Sequence, residues 1–535
     1  MTSATGRRLL TAAGVLITLV LLVSYGNLRH NGLVSYDDLK YLTENEQIRQ
    51  GLTSGSIRWA FTSIHDSNWI PLTWLSYMLD VTLFGINPAG HHLVNLLLHI
   101  ANSLLVMTLF HHLSGRVWCS AAVAMLFAVH PLHVESVAWA AERKDVLSTL
   151  FFLLTLHVYR NYTAGPSLPR RFTVLFLFLC GLLAKPMLVS LPLVLVLIDF
   201  WQERSSRVVR PPATALRPLS GKIPLFLLSL LFCGITFYTQ RSGRSVNSAN
   251  DLPLLENSLH ALYNYAAYLY KTFWPVDLCA IYPYRADLPA GQLLPALLIL
   301  LSVTVAAIIL RHRLPYLFFG WFWYLATLAP VAGFIRVGAH SIADRYTYIP
   351  LIGIFAAVVW GTADLLGRRR NAGIAAAVTM VAVTVTLGAL TWKQVGYWKD
   401  SVTLFTRALM VTDRNWVAHA NLGAEFIELR QPKLALYHLT QAAAINPLSS
   451  DTLFNLGLAY DLAGDQPAAL ATFKRIIAME PDYRKAYFAA GKTAFKLGQR
   501  EEANSLLHTL QRLDPALAAG LAAYFRQHSP TAPAQ

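Results

Sequence analysis

Long apolar stretches separated by short polar islands occupy the first 391 residues, and a different, regularly spaced pattern fills the remainder. A bilayer core requires about 20 apolar residues per helix. Runs near that length occur at 9–25, 91–112, 117–130, 145–160, 172–184, 186–201, 223–240, 292–310, 315–334, 348–366 and 372–391. The pattern predicts an all-α polytopic membrane domain of about eleven spans, three of them short enough to tilt, break or re-enter. Arg7 and Arg8 before the first run would suit a signal peptide, but no small-x-small cleavage site precedes Tyr25, so the first helix is read as retained.

Beyond residue 391 the period changes. Gly423, Gly457 and Gly491 lie 34 residues apart, as do Ala435, Ala469 and Ala503, and then Pro447, Pro481 and Pro515. This is the tetratricopeptide period. Small residues let paired antiparallel helices approach closely, and proline ends the second helix because it cannot extend the hydrogen-bond ladder. The sequence thus divides into a membrane domain, 1–391, and a helical solenoid, 392–535, with clear repeats at about 416–447, 450–481 and 484–515. A partial repeat from Trp398 to Asp413 carries Phe405 and Ala408 in phase with the later second helices. Such an array presents a concave surface to a protein or peptide.

Composition agrees with a membrane protein bearing a soluble appendage, at 55% hydrophobic and 14% charged residues. The net charge of +15 raises nucleic-acid binding as one explanation. Topology is the simpler one. An amino terminus placed inside puts Arg7 and Arg8, Arg116, Arg170 and Arg171, Arg204, Arg207, Arg210 and Arg217, Arg311 and Arg313, and Arg368 to Arg370 in cytoplasmic segments, as the positive-inside rule requires. An odd number of spans then exports the repeats, together with loops 26–90, 241–291 and 335–347. Four cysteines, one of them in an exported loop, supply neither a disulfide framework nor a paired-cysteine metal motif.

The exported loops hold the candidate chemistry. Asp37 and Asp38 follow the first span, where a carboxylate can take the proton of an acceptor hydroxyl while a phosphate departs, and the second acid can orient substrate or hold a divalent ion. A helix cap or solvated turn is the bland alternative for the pair. The interval from His130 to Asp145 packs His130, His133, Glu135, Glu142, Arg143, Lys144 and Asp145 between apolar runs. Ionisable groups at that depth must face a cavity or one another. Arg143 and Lys144 suit a phosphate, with Asp145 pairing to either or contacting the sugar. His130, His133 and Glu135 could ligate a metal, but His-x-x-His-x-Glu is not a diagnostic spacing. Lys185 is either a phosphate ligand or a side chain reaching for the interface. The last polar island contains Arg336, His340, Asp344, Arg345 and Tyr346. Arg345 and Tyr346 suit a polyprenyl-phosphate head group, because guanidinium forks onto phosphate oxygens, while an Asp344–Arg345 anchor pair is the structural alternative. The Tyr-rich stretch 257–274 reads as an interfacial helix.

Tyr36-Asp37-Asp38, the segment from Asn68 to Thr73, the segment from His92 to His99, the His130–Asp145 interval, Asp344-Arg345-Tyr346 and the trailing repeats together resemble the transmembrane and tetratricopeptide-repeat O-mannosyltransferases over nearly the whole chain. Those enzymes are polytopic glycosyltransferases of the GT-C superfamily. The resemblance implies sugar transfer from a polyprenyl-phosphate donor on the external face, a catalytic acid at Asp37 or Asp38, and donor-phosphate contacts from Arg143, Lys144 or Arg345. The array here is shorter than in animal members, and composition and compactness point to a bacterial relative in an inner, cytoplasmic membrane and to an undecaprenyl-type lipid. Neither mannose nor a particular acceptor carries over.

The expected activity is therefore inverting transfer of a sugar from a lipid phosphate to a hydroxyl of a protein or envelope glycan recruited by the repeats. No nucleotide-sugar domain is evident in the sequence, and nucleic acid has no part in this reading. A non-catalytic membrane scaffold for envelope assembly is the alternative. Clustered acids and bases favour the enzyme, and the lack of symmetry between halves disfavours a transporter.

Overall fold

The computed structural model describes residues 4–205, 219–242, 254–284, 288–335, 338, 340–367 and 372–528, and among these no β-strand occurs. The chain divides into two compact units, Met1–Asp400 and Ser401–Gln535. The division lies beyond the expected 391/392 because the helix Ala372–Tyr397 continues past the end of its apolar run.

In the first unit, five helices are long and apolar enough to cross a membrane: Ala4–Ser24, Pro88–Ser114, Ile223–Arg241, Ala290–His312 and Gly373–Tyr397. A sixth arises if Val117–Val129 and Pro131–Ala138, bent by 55° at His130, form one span. The chain is a multi-pass membrane protein, but the count of eleven spans is not reached among the described residues. Several apolar runs fold as shorter helices: Leu168–Ala184 has 17 residues, Pro315–Leu328 has 14 and Pro350–Leu366 has 17. Seventeen residues rise only about 26 Å, less than the ~30 Å hydrocarbon core. Lys185-Pro186 divides another run, since proline bars the preceding residue from helix and a 3-10 turn, Pro186–Ser190, intervenes before Leu191–Ser205.

The long helix Pro88–Ser114 organises the interior. Its buried polar residues His91, His92, Asn95, His99 and Asn102 recur at helical spacing and so form one stripe. Polar side chains inside an apolar bundle require partners. Asn95 donates to the carbonyls of Val137 and Trp139 (3.2 Å each), Asn102 to that of Val146 (2.8 Å), and His99 meets the Tyr348 hydroxyl at 2.7 Å and the Ala128 carbonyl at 3.0 Å. The stripe thereby fastens the irregular segment 128–146, whose backbone groups would otherwise lack partners at the break around Pro131.

Helix directions bring the functional loops to one end. The loop after Ala4–Ser24, the amino end of Arg143–Ala164, the residue that ends Leu168–Ala184 and the segment just before Pro350–Leu366 all contribute to one cavity. Arg7, Arg8, Arg116, Arg170, Arg171, Arg311 and Arg313 consequently fall at the opposite helix ends. Arg204, Arg207, Arg210, Arg217 and Arg368 to Arg370 carry the same expectation from sequence, and their side chains lie outside the described residues.

The second unit is a stack of helical hairpins, from Ser401–Val411 through Trp416–Glu428, Pro432–Ile445, Ser450–Ala463, Gln466–Met479, Arg484–Lys496 and Arg500–Leu513 to Pro515–His528. The periodic glycines explain its tightness. A Cβ at Gly423 would lie 2.3 Å from the Leu439 side chain, and one at Gly457 would lie 2.4 Å from the Phe473 ring, so alanine at either position requires the facing side chain to shift. Gly491 instead meets Leu521 of the last helix, at 2.7 Å. That helix, Pro515–His528, packs against both helices of the preceding hairpin.

Candidate functional site

The stretch after Ser24 is held in place before any ligand arrives. Gly32 donates its N–H to the Lys399 carbonyl (2.8 Å), and Asn31 donates to that of Val395 (3.1 Å). Asp38 then locks the loop to the polar interval. One carboxylate oxygen accepts from the Val34 N–H at 2.9 Å, the other from the Ala141 N–H at 2.7 Å, and the side chain is buried. Burial pushes this carboxyl up to about 7, against the pull of the two N–H groups. Beside it, the Tyr36 ring stacks on Trp139 at 4.9 Å and 15°. A wide turn follows, closed by Glu44 N–H to Leu39 carbonyl at 2.8 Å.

Asp37, by contrast, lines a cavity of about 800 Å³. The two adjacent acids therefore separate into one that fastens backbone and one that faces open space. Burial raises the Asp37 pKa, Lys144 draws it back down, and Asp66 raises it again. Asp66 sits in a tight turn, His65 to Asn68, closed by two backbone bonds of 3.0 and 2.9 Å. Asp66 and Ser67 take positive φ there, 48° and 61°, the conformation of a type I′ turn. Asn68 donates to the Tyr41 hydroxyl at 3.2 Å and lines the same cavity.

The same cavity wall carries three cations, Lys144, Lys185 and Arg345. Glu142 gathers them. Its carboxylate lies 2.8 Å from the Lys144 ammonium, 2.9 Å from that of Lys185 and 3.5 Å from Nε of Arg345. Burial resists its charge, yet the three cations together hold it well below the usual carboxylate range. Each cation is steadied elsewhere as well. Thr73 accompanies Lys185 by donating to the Ala184 carbonyl (2.9 Å), and Lys185 also binds Asp145, which accepts from Ser136 at 3.1 Å. Arg345 pairs through its guanidinium with Glu135, which also accepts the Arg345 backbone N–H at 3.0 Å. Lys144 and Arg345 lie over the Trp139 ring at 5.7 and 5.3 Å, and Arg345 lies over Tyr346 at 4.9 Å. Cations against aromatic faces gain attraction without a neutralising partner.

Other expected residues fall elsewhere. Arg143 does not face the cavity: its guanidinium is buried against Asp80 (2.7 Å), the His91 carbonyl (2.8 Å) and Asn95. Its expected place among the phosphate ligands is corrected accordingly, because the carboxylate of Asp80 and the polar stripe claim it. His130 bonds the Thr272 carbonyl at 3.0 Å and the Leu132 N–H, while His133 bonds the Phe127 carbonyl at 2.7 Å. Both rings pack with Phe355, away from the cavity, and Glu135 acts on it only through Arg345. His340 lines the cavity and meets the Tyr346 hydroxyl at 3.1 Å. Asp344 accepts from the Tyr282 hydroxyl at 2.9 Å. Arg336 lies outside the described residues. Among the described residues no three His, Cys, Asp or Glu side chains gather as a metal site, so a divalent ion finds no such ligand set here.

Asp66 is a cavity residue that the sequence did not single out, and Glu142 is one to which it gave no role. Glu142 was visible within the polar interval, and Asp66 within the Asp-Ser-Asn run that favours tight turns.

Residues 451–483 match the tetratricopeptide repeat family model. Human protein O-mannosyl-transferase TMTC1 is 26% identical over 491 residues, covering 79% of this chain and 54% of that protein. Protein O-mannosyl-transferase Tmtc3 of Drosophila melanogaster is 22% identical over 591 residues, covering 95% and 60%. Human protein O-mannosyl-transferase TMTC2 reaches 42% over 100 residues, 18% of this chain and 12% of that protein. The homologues are thus protein O-mannosyl-transferases, and the chain spans about half the length of the curated relatives that it matches across most of its own length.

Proposed function

We propose that this chain is a membrane glycosyltransferase that moves a sugar from a polyprenyl-phosphate donor to a hydroxyl of a protein or envelope glycan on the external face of a bacterial inner membrane. One observation carries the reading: a single cavity holds a raised-pKa carboxylate, Asp37, facing space shared with Lys144, Lys185 and Arg345. A scaffold has no use for such a pairing. The homologues' printed activity points the same way.

Asp37 takes the acceptor O–H proton, and the freed oxygen attacks the anomeric carbon from the face opposite the phosphate. The bond between that carbon and the phosphate oxygen breaks with inversion, and its electron pair leaves on the lipid phosphate. Lys144, Lys185 and Arg345 stabilise the charge that develops there, in a partly dehydrated site where fixed cations act strongly. Asp38 serves the reaction by holding the Asp37 loop against Ala141. Tyr346 and Trp139 flank the cations with flat apolar faces. His340 orients the Tyr346 hydroxyl. The gathering of arginines at the opposite helix ends supports an external position for the cavity. The repeats supply the acceptor, since tethering a binding module raises local concentration without new chemistry.

Glycan profiling of cells with and without the gene tests this reading. Loss of one sugar from a protein or envelope glycan, restored by the parent but not by Asp37→Asn, is the expected result. An unchanged glycan profile would contradict it.

A further inference from the structure

The cation cluster is formally balanced. Lys144, Lys185 and Arg345 are matched by Glu142, Asp145 and Glu135, and each pairing is a direct contact. Glu135 and Asp145 lie behind the wall, whereas Glu142 lines the cavity and touches all three cations. A phosphate entering to meet those cations must therefore approach the Glu142 carboxylate. A site built only to bind phosphate tightly has no need of such a neighbour, because like charges repel strongly where water is scarce.

We infer that Glu142 sets the cluster's preference between substrate and product, admitting the phosphodiester donor but not retaining the phosphomonoester that transfer leaves behind. The inference rests on the donor reading above. Transfer converts a diester with one negative charge into a monoester of about −1.5 to −2. The electron pair of the broken bond stays on that phosphate, and the acceptor proton goes to Asp37. Coulomb energy scales with the product of the charges, so a fixed carboxylate opposes a dianion about twice as strongly as a monoanion. Once Asp37 has passed its proton to water and recovered its charge, Glu142 turns the charge gained on the phosphate into a drive for product release.

The test uses the full chain in lipid nanodiscs at pH 8, with a short-chain polyprenyl monophosphate and its methyl diester as probes. In the parent, the balanced cluster shows no preference for the monophosphate. In Glu142→Gln both probes bind more tightly, and the fold-gain for the monophosphate approaches the square of that for the diester, with a gain of at least about tenfold for the monophosphate. Product inhibition tightens in parallel, and kcat and KM fall together. Removing a residue that merely positioned the cations would weaken binding and raise KM instead. Glu142→Asp, which keeps the charge, retains the parent's ranking.

Equal or weaker monophosphate binding in Glu142→Gln overturns the inference while leaving the donor reading intact. A parent that already prefers the monophosphate tenfold overturns it without recourse to any variant. If neither probe binds the parent or Glu142→Gln, the donor reading falls, and this inference with it.

Discussion

Asparagine at position 37 and asparagine at position 38 should fail in different ways. Asp37→Asn keeps shape and removes the proposed base. Loss of general-base catalysis costs about 10²–10⁴ in rate, or about 2.7–5.4 kcal/mol of transition-state stabilisation. Stability should not suffer. A carboxyl held above its ordinary pKa contributes stability that is present below about pH 4 and lost as pH rises through the raised value, so the neutral amide is no worse at pH 7. Asp38→Asn does the reverse. Both Asp38 oxygens accept backbone N–H groups, and an amide can accept only one of them while turning its own NH₂ toward the other. Leaving one buried donor unmet costs about 1–3 kcal/mol of stability. The assay pairs sugar transfer, normalised to folded protein, with thermal unfolding in detergent. Asp37→Asn should be inactive and stable, Asp38→Asn less stable but active when folded. An inactive, stable Asp38→Asn beside an active Asp37→Asn would refute the assignment.

Arg345→Ala should weaken donor binding, and Arg345→Lys should restore it only partly, since a point charge cannot reproduce the guanidinium fork toward phosphate and Glu135; equal donor affinity in all three proteins would reduce Arg345 to an anchor. Because Lys144 draws the Asp37 pKa down, Lys144→Met should shift the acid limb of kcat/KM toward higher pH as well as weaken donor binding, and an unmoved limb would separate the two residues. A compartment-sensitive reporter fused after Gln535 should report the external side, and cytoplasmic activity would remove the external location of the site.

The repeats were legible because their rule is local: glycine, alanine and proline at fixed phase encode close packing and termination within each hairpin, and Gly423 and Gly457 meet partners sixteen residues on in both cases. The membrane runs were harder. Hydropathy registers Leu168–Ala184 and Pro350–Leu366 as strongly as a full span, although each helix is short of the core's thickness. At the site, sequence located the charged intervals but could not divide their labour. Asp37 and Asp38 are equivalent as a dipeptide, and only the distant Ala141 N–H makes one of them structural. Arg143 and Lys144 are likewise adjacent cations, and Asp80, on a different helix, takes the first out of the cavity. Glu142 received no role from the sequence because its importance lies in the convergence of Lys144, Lys185 and Arg345, which are far apart in the chain.

The central claim is that this cavity cleaves a sugar from a lipid phosphate. Single-turnover reaction of purified parent protein with stoichiometric, isotopically labelled polyprenyl-phosphate mannose, followed by mass spectrometry of both products, measures that directly; mannose is the first sugar to try because the relatives' printed activity names it. The account expects polyprenyl monophosphate and transferred or released sugar in equal amounts, with the anomeric configuration inverted. Intact donor after prolonged incubation with inserted, folded protein, for mannose and for the other polyprenyl-phosphate sugars, would contradict it.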